Sequence, residues 1–94
     1  MTSLMVRSRT RMHTRPAHAL RMLTDRYPGT SLVLSLPGGP YIDASGCAIV
    51  QLALWPLARG AEVIITATGP DEALACAAVA HSLADRRRWE TQPR

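Results

Sequence analysis

The feature that most constrains the fold is a strand pattern followed at once by a helix pattern near the end of the chain. The segment GAEVIITATG, residues 60–69, is bounded by glycines, and its β-branched residues alternate between two faces. The next segment begins with Pro70, places Asp71 and Glu72 at the positive end of a helix dipole, and ends in arginines. One face of this helix is apolar, at Ala75, Cys76, Val79 and Leu83. A chain with this junction must pack a helix back onto a sheet.

The first third of the chain predicts one strand and one helix. SLMVRS, residues 3–8, has the length of a short strand. From Pro16 the pattern is helical, and Pro28 with Gly29 ends it. Apolar residues recur on one side of this helix, at Leu20, Leu23 and Tyr27. The polar residues Arg21, Asp25 and Arg26 are available to face water.

The middle of the chain predicts a hairpin and then a short helix. Residues 30–36 form a strand, PGGP at 37–40 is a turn, and residues 41–43 form a brief third strand. Asp43 or Ser45 is expected to cap the helix that follows, and Pro56 is expected to stop it.

The resulting order, βαββαβα, predicts an α+β fold. Helices that follow strands this closely must cover one face of a sheet, which gives a two-layer open-faced sandwich with four mainly antiparallel strands and three helices on one face. The 94 residues suffice for one domain, which we expect over 1–94 with a core at about 3–85 and a basic tail at 86–94.

Composition excludes several classes of function. The net charge is +4, and all eleven basic residues are arginine. Much of that charge lies near the ends of the chain, so we interpret it as solvated termini and not as a nucleic-acid groove. The start of the chain lacks the apolar run of a signal peptide, and no segment is long enough to span a bilayer, so we expect a cytoplasmic protein without membrane insertion.

The cysteines do not indicate a metal site. Cys47 and Cys76 are isolated, with no metal-ligand spacing, and suggest buried thiols in a reducing compartment. We expect neither a metal nor a cofactor.

His13 is the candidate reactive residue. It stands where the chain enters the first helix, beside amides that lack an intrahelical partner and can bind a phosphate. Arg15 adds a fixed cation, and Pro16 gives up only an amide that would have had no partner. A neutral imidazole is a nucleophile near physiological pH, so the arrangement suits a phosphorylated histidine.

HTRPA at residues 13–17 and GAEVIITATGPDEALA at residues 60–75 resemble the signatures of HPr, the histidine-containing phosphocarrier family of the bacterial phosphoenolpyruvate:sugar phosphotransferase system. The resemblance covers about residues 3–85. It implies that His13 is phosphorylated, usually through Nδ1, that Arg15 steadies the phosphoryl group, and that Pro16 and Ala17 with their neighbours form the phosphate site. The implied donor is phosphorylated enzyme I, supplied by phosphoenolpyruvate, and the implied acceptors are IIA domains of sugar permeases. The protein would be a monomeric carrier and not a stand-alone enzyme.

The chain also departs from the family. Arg11 replaces a customary Gly, which suggests a differently shaped loop before His13. Many relatives have a regulatory serine at the start of the second helix, after a lysine, and here Ser45 is the candidate but lacks that lysine. We therefore expect Ser45 to cap the helix and to be a poor kinase substrate. The apolar docking residues of that helix are reduced to Cys47 and Ala48.

Two other functions remain open at this stage. One is an HPr paralogue that regulates carbon or nitrogen metabolism. The other is a non-catalytic basic binding module in which His13 only caps a helix. His18 and His81 are interpreted as surface residues, and Trp55 as the edge of the core unless its exposure makes it a docking residue.

Overall fold

The computed structural model describes residues 1–84 and has the predicted order of elements. The elements are β1 (Thr2–Arg7), α1 (Thr14–Asp25), β2 (Ser31–Ser35), β3 (Tyr41–Asp43), α2 (Ile49–Ala53), β4 (Glu62–Thr68) and α3 (Glu72–Ala84). The predicted basic tail at 86–94 lies outside the described residues.

The four strands form one sheet in the order β1-β4-β2-β3, and all three pairings are antiparallel. Because β4 lies between β1 and β2, the last strand of the chain is central and the first strand is at an edge. This arrangement confirms the predicted open-faced sandwich.

The core lies between one face of the sheet and the helices. Val63, Ile65 and Ala67 of β4 alternate toward that face and are fully buried, as the sequence alternation predicted. The helices contribute the other side of the core, with Ala17, Leu20, Leu52, Ala75, Cys76, Val79, Ala80 and Leu83. Each large aliphatic side chain buried there contributes about 1.5–3 kcal/mol relative to an exposed one.

Helix α1 begins at Thr14, two residues earlier than predicted. Pro16 is therefore its third residue, where a missing amide still costs no intrahelical hydrogen bond. Arg21, which we expected to face water, is half-buried, and its guanidinium donates to the carbonyl of Cys47. This contact ties α1 to the loop that enters α2.

Helix α2 differs most from the prediction. It spans only Ile49–Ala53, and its N-cap residue is Ala48, so neither Asp43 nor Ser45 caps it. The amide of Ala48 donates to the Gln51 side chain at 3.2 Å, which partly replaces the missing cap. The helix ends before Trp55 because Pro56 disfavours helical backbone in the residue that precedes it.

A close approach of two chain segments fixes the start of α3. Gly69 has φ +145°, and a Cβ there would lie 2.6 Å from the carbonyl oxygen of Gly29. The hydroxyl of Thr30 accepts the amide of Asp71 at 3.2 Å. Only glycine fits at this junction, which explains its place between the last strand and the last helix.

Candidate functional site

His13 is the residue immediately before α1 and occupies its N-cap position. Its backbone is extended, with φ −159° and ψ −164°, and its carbonyl accepts the amide of Ala17 at 3.1 Å. Its side chain is half-buried and makes no capping hydrogen bond. The imidazole therefore does not do what an N-cap Ser or Asp does, and it is available for chemistry.

The first turn of α1 offers amide donors beside the imidazole. The amides of Thr14 and Arg15 precede the first intrahelical hydrogen bond, so they have no partner within the helix. Pro16 has no amide hydrogen, and the amide of Ala17 already donates to His13. A phosphate bound here through amides without helix partners would therefore use those of Thr14 and Arg15, because the amide of the buried Ala17 closes the first turn of the helix.

Arg15 provides a cation at the same helix end. Its side chain is exposed and forms no ion pair within residues 1–84. A guanidinium pairs well with phosphoryl oxygens because its planar donors match their geometry. Together with the positive end of the helix dipole, it makes this end of α1 suitable for an anion.

His13 opens onto a cleft of about 500 Å³ between α1, the loop before it and the end of α3. The cleft is lined by Arg9, Thr10, His13, Arg15, Pro16, Ala19, Ser82 and Leu83. Arg9 and Arg15 are the arginines among the described lining residues. Sequence reasoning missed Arg9, because it lies outside the HTRPA motif and only the fold brings it beside His13.

The loop before His13 is held by backbone hydrogen bonds. The amide of Met12 donates to the carbonyl of Leu57 at 3.0 Å, and the Met12 side chain is buried. Within the described residues, only glycines have positive φ, so Arg11 adopts an ordinary backbone conformation. Replacing the customary glycine by Arg11 therefore causes no backbone strain.

Ser45 lies in a turn that precedes α2 and makes a different set of contacts. Its hydroxyl donates to Asp43 Oδ1 at 2.8 Å and accepts the amide of Leu32 at 3.2 Å. Asp43 Oδ1 also accepts the amides of Ser45 and Gly46, at 3.2 and 3.1 Å. The expectation that Ser45 caps the second helix is wrong, since its hydroxyl links this turn to β2 and α2 begins four residues later.

Helix α2 presents more apolar surface than we expected. Val50 in the helix and Leu54 at its C-cap position, four residues later, are 60% and 78% exposed. The exposed apolar surface in this region therefore extends beyond Cys47 and Ala48, the two docking residues that the sequence predicted. Because α2 packs against α1, this apolar surface lies on the helix next to the one that begins at His13.

The remaining candidate residues lie apart from this site. His18 and His81 are exposed and do not line the His13 cleft. Trp55 is 7% exposed, so it belongs to the core and not to a docking surface. Cys76 is buried, and burial raises the pKa of its thiol, whereas Cys47 is half-buried.

Residues 1–84 contain neither a candidate metal cluster nor a helix that could span a membrane. No group of three or more His, Cys, Asp or Glu side chains is placed to hold a metal ion. No helix in this part of the chain is long and apolar enough to cross a membrane.

One family model matches most of the chain. A family model described as the PTS HPr component phosphorylation site matches residues 2–85. No curated protein sequence gives a significant match.

Similar solved structures include two HPr proteins and one relative. HPr-C-His from Thermoanaerobacter tengcongensis is 18% identical with TM-score 0.74, covering 88% of this chain and 91% of that one. Phosphocarrier protein HPr from Bacillus anthracis is 19% identical with TM-score 0.73, covering 87% and 95%. Crh, a catabolite repression protein of Bacillus subtilis described as a swapped dimer, is 25% identical with TM-score 0.66, covering 88% and 91%.

Proposed function

Because this chain belongs to the HPr family of phosphocarrier domains, we propose that it accepts a phosphoryl group on His13 from phosphorylated enzyme I and passes it to the IIA domain of a sugar permease. One observation supports this most strongly. The imidazole of His13 makes no capping hydrogen bond although it stands at the N-cap of α1, beside Arg15 and amides without intrahelical partners. A histidine that only capped the helix would use its side chain there.

The chemistry follows from that placement. The lone pair of Nδ1 in neutral His13 attacks the phosphorus while the proton of the ring stays on Nε2. A nitrogen–phosphorus bond forms, and the bond to the donor breaks with its electron pair leaving on the donor. The amides of Thr14 and Arg15 and the Arg15 guanidinium then face the phosphoryl oxygens, and the second transfer repeats the exchange with the acceptor. Such transfer depends mainly on positioning and charge stabilisation, so a small carrier suffices.

The surface around His13 suits a protein partner. The exposed Val50 of α2 and Leu54 at its C-cap offer apolar anchors, and Arg15 offers a cation on α1, the helix against which α2 packs. Apolar anchors beside a charge of one sign favour a partner with an apolar patch and an acidic rim. We therefore expect enzyme I to present a complementary acidic face to this surface. We propose a cytoplasmic carrier that uses these partners, with no nucleic acid bound.

A regulatory role through Ser45 is the second candidate, and the contacts of Ser45 argue against it. Phosphorylation would remove the hydroxyl from both Asp43 and Leu32 and would place about −1.5 to −2 charge beside a carboxylate. The start of α2, where regulated relatives have their serine, is occupied by Ala48. We therefore predict that a purified HPr kinase with ATP labels Ser45 poorly, and stoichiometric labelling would favour the regulatory alternative.

The proposed function is tested by reconstituting the first transfer. With phosphoenolpyruvate and a cognate enzyme I, the protein should gain one acid-labile phosphoryl group, and His13→Ala should abolish labelling without unfolding the chain. His18→Ala is the matched control, because it removes an exposed histidine from α1, the helix that His13 precedes. Labelling that persists in His13→Ala would reject the assignment.

A further inference from the structure

Arg9 lies at the His13 cleft although it is outside the HTRPA motif. It lines the cleft together with His13 and Arg15, and it is half-buried. Its position is fixed by the backbone on both sides. The amide of Arg9 donates to the carbonyl of Leu83 at 3.0 Å, and Ser8 exchanges hydrogen bonds of 2.8 Å with the Gly60–Ala61 segment. These hydrogen bonds therefore hold the backbone of Arg9 at the cleft.

The charges around the cleft come from two directions. Arg15 and the start of α1 are on one side, and Arg9 belongs to the loop that precedes α1. From α3 the described lining residues are the uncharged Ser82 and Leu83. No described lining residue is a carboxylate. A phosphoryl group on His13 would have an arginine on the loop side of this cleft and another on the helix side.

We propose that Arg9 is a second positioning cation for the phosphorylated form of His13, acting from the loop side while Arg15 acts from the helix side. The inference rests on the proposed function, since it concerns the phosphoryl group that His13 would carry. Arg9 takes no part in bond making or breaking. Its effect is to favour the dianionic form of the phosphoryl group over the singly protonated form, because a nearby positive charge stabilises the more negative state.

The test is a ³¹P NMR titration of the full-length protein phosphorylated chemically with potassium phosphoramidate, which needs no partner. Replacing Arg9 by Gln should move the titration midpoint of the phosphoryl group to higher pH by about 0.3–0.7 unit, the size expected for the loss of one nearby charge that is partly screened by water. Arg9→Lys keeps the charge and should restore most of the wild-type midpoint. A structural role alone would not separate the Lys and Gln variants in this way.

Arg26→Gln is the matched control. It removes the same charge from the far end of α1, about 20 Å from His13 at 1.5 Å per residue, and should shift the midpoint by less than about 0.1 unit in 0.15 M salt. An Arg9→Gln midpoint equal to that of Arg26→Gln would overturn the inference about Arg9, as would a Lys variant that behaves like the Gln variant. Failure of wild-type His13 to be phosphorylated would instead reject the proposed function. Thermal melts of each variant establish that the comparison is made on folded protein.

Discussion

The loops that enter α1 and α2 each contain a side chain that sequence reasoning singled out, and the two side chains are used in opposite ways. The imidazole of His13 makes no capping hydrogen bond and opens onto a cleft that Arg9 and Arg15 also line. The hydroxyl of Ser45 donates to Asp43 and accepts from Leu32, so its hydrogen-bonding capacity serves the fold. A group that must form and break covalent bonds is left without internal partners, whereas a structural group is hydrogen-bonded by its neighbours. Changes at the first loop should alter transfer, and changes at the second should alter stability.

Of the substitutions that test this difference between the two loops, Arg15→Ala is expected to have the largest effect. The substitution removes a charge-assisted contact of about 1.5–3 kcal/mol, so phosphotransfer to His13 should slow by roughly 10-fold to 150-fold. Stability should change little, because Arg15 is exposed and forms no ion pair within the described residues. Rapid-quench measurement of transfer from enzyme I checks the first statement, and a thermal melt checks the second.

The control for Arg15→Ala is Arg26→Ala, which removes an equal charge from the other end of the same helix. It separates local stabilisation of the phosphoryl group from general attraction between charged proteins. An unchanged transfer rate in folded Arg15→Ala would show that the helix amides alone hold the phosphoryl group.

Ser45→Ala should change the stability of the protein and not the rate of phosphotransfer. It removes the hydroxyl that accepts the Leu32 amide, and the free energy of unfolding should fall by about 1–2 kcal/mol. For a domain of this size that corresponds to a melting temperature lower by roughly 4–16 °C. Phosphotransfer to His13 should be nearly unchanged, because Ser45 does not line the His13 cleft.

Ser31→Ala is the matched control for this change, since Ser31 is an exposed serine on β2, adjacent to Leu32. Its effect on the melting temperature should be small. If Ser45→Ala melts like Ser31→Ala, or if it slows transfer, the structural role of Ser45 is disproved.

A smaller effect, on stability at acid pH, is expected from substitutions at Glu72, whose side chain has several internal partners. Its carboxylate accepts from the amino group of Met1 at 2.7 Å, from the hydroxyl of Thr2 at 2.8 Å and from the amide of Gly69 at 3.3 Å. These contacts, that of the amino group first, lower the pKa of Glu72 to about 2 from 4.5. Because the folded pKa is the lower one, the contribution to stability is present above pH 4.5 and is lost as the pH falls toward 2.

Chemical denaturation between pH 2 and pH 6 measures this contribution. Glu72→Gln should flatten the plot of unfolding free energy against pH between about pH 2 and pH 4.5. Thr2→Val should move that part of the plot to higher pH, because it removes one contact that stabilises the carboxylate. Transfer to His13 should be unaffected by either change at neutral pH. A Glu72→Gln profile identical to wild type would contradict the assigned contacts.

The order of elements was predictable because β4 and α3 have strong local patterns, and because the core face of α3 repeats at helical spacing. The His13 motif was predictable for a similar reason, since an imidazole, a cation and a proline at a helix start suit phosphate chemistry. The start of α2 was not, because Asp43 and Ser45 are good cap residues locally while the structure uses them to tie the turn to β2. Arg9 was missed since its place at the cleft depends on pairing with Leu83, which lies 74 residues away.

The most direct test of the account is to locate the phosphoryl group in the wild-type protein. After incubation with phosphoenolpyruvate and a cognate enzyme I, the protein is digested at alkaline pH, where phosphohistidine is stable, and the peptides are sequenced by mass spectrometry. We predict one phosphoryl group on His13 and none on His18, His81 or Ser45. A phosphoryl group on any of those residues in place of His13, or one that resists acid, would contradict the assignment of His13 as the acceptor.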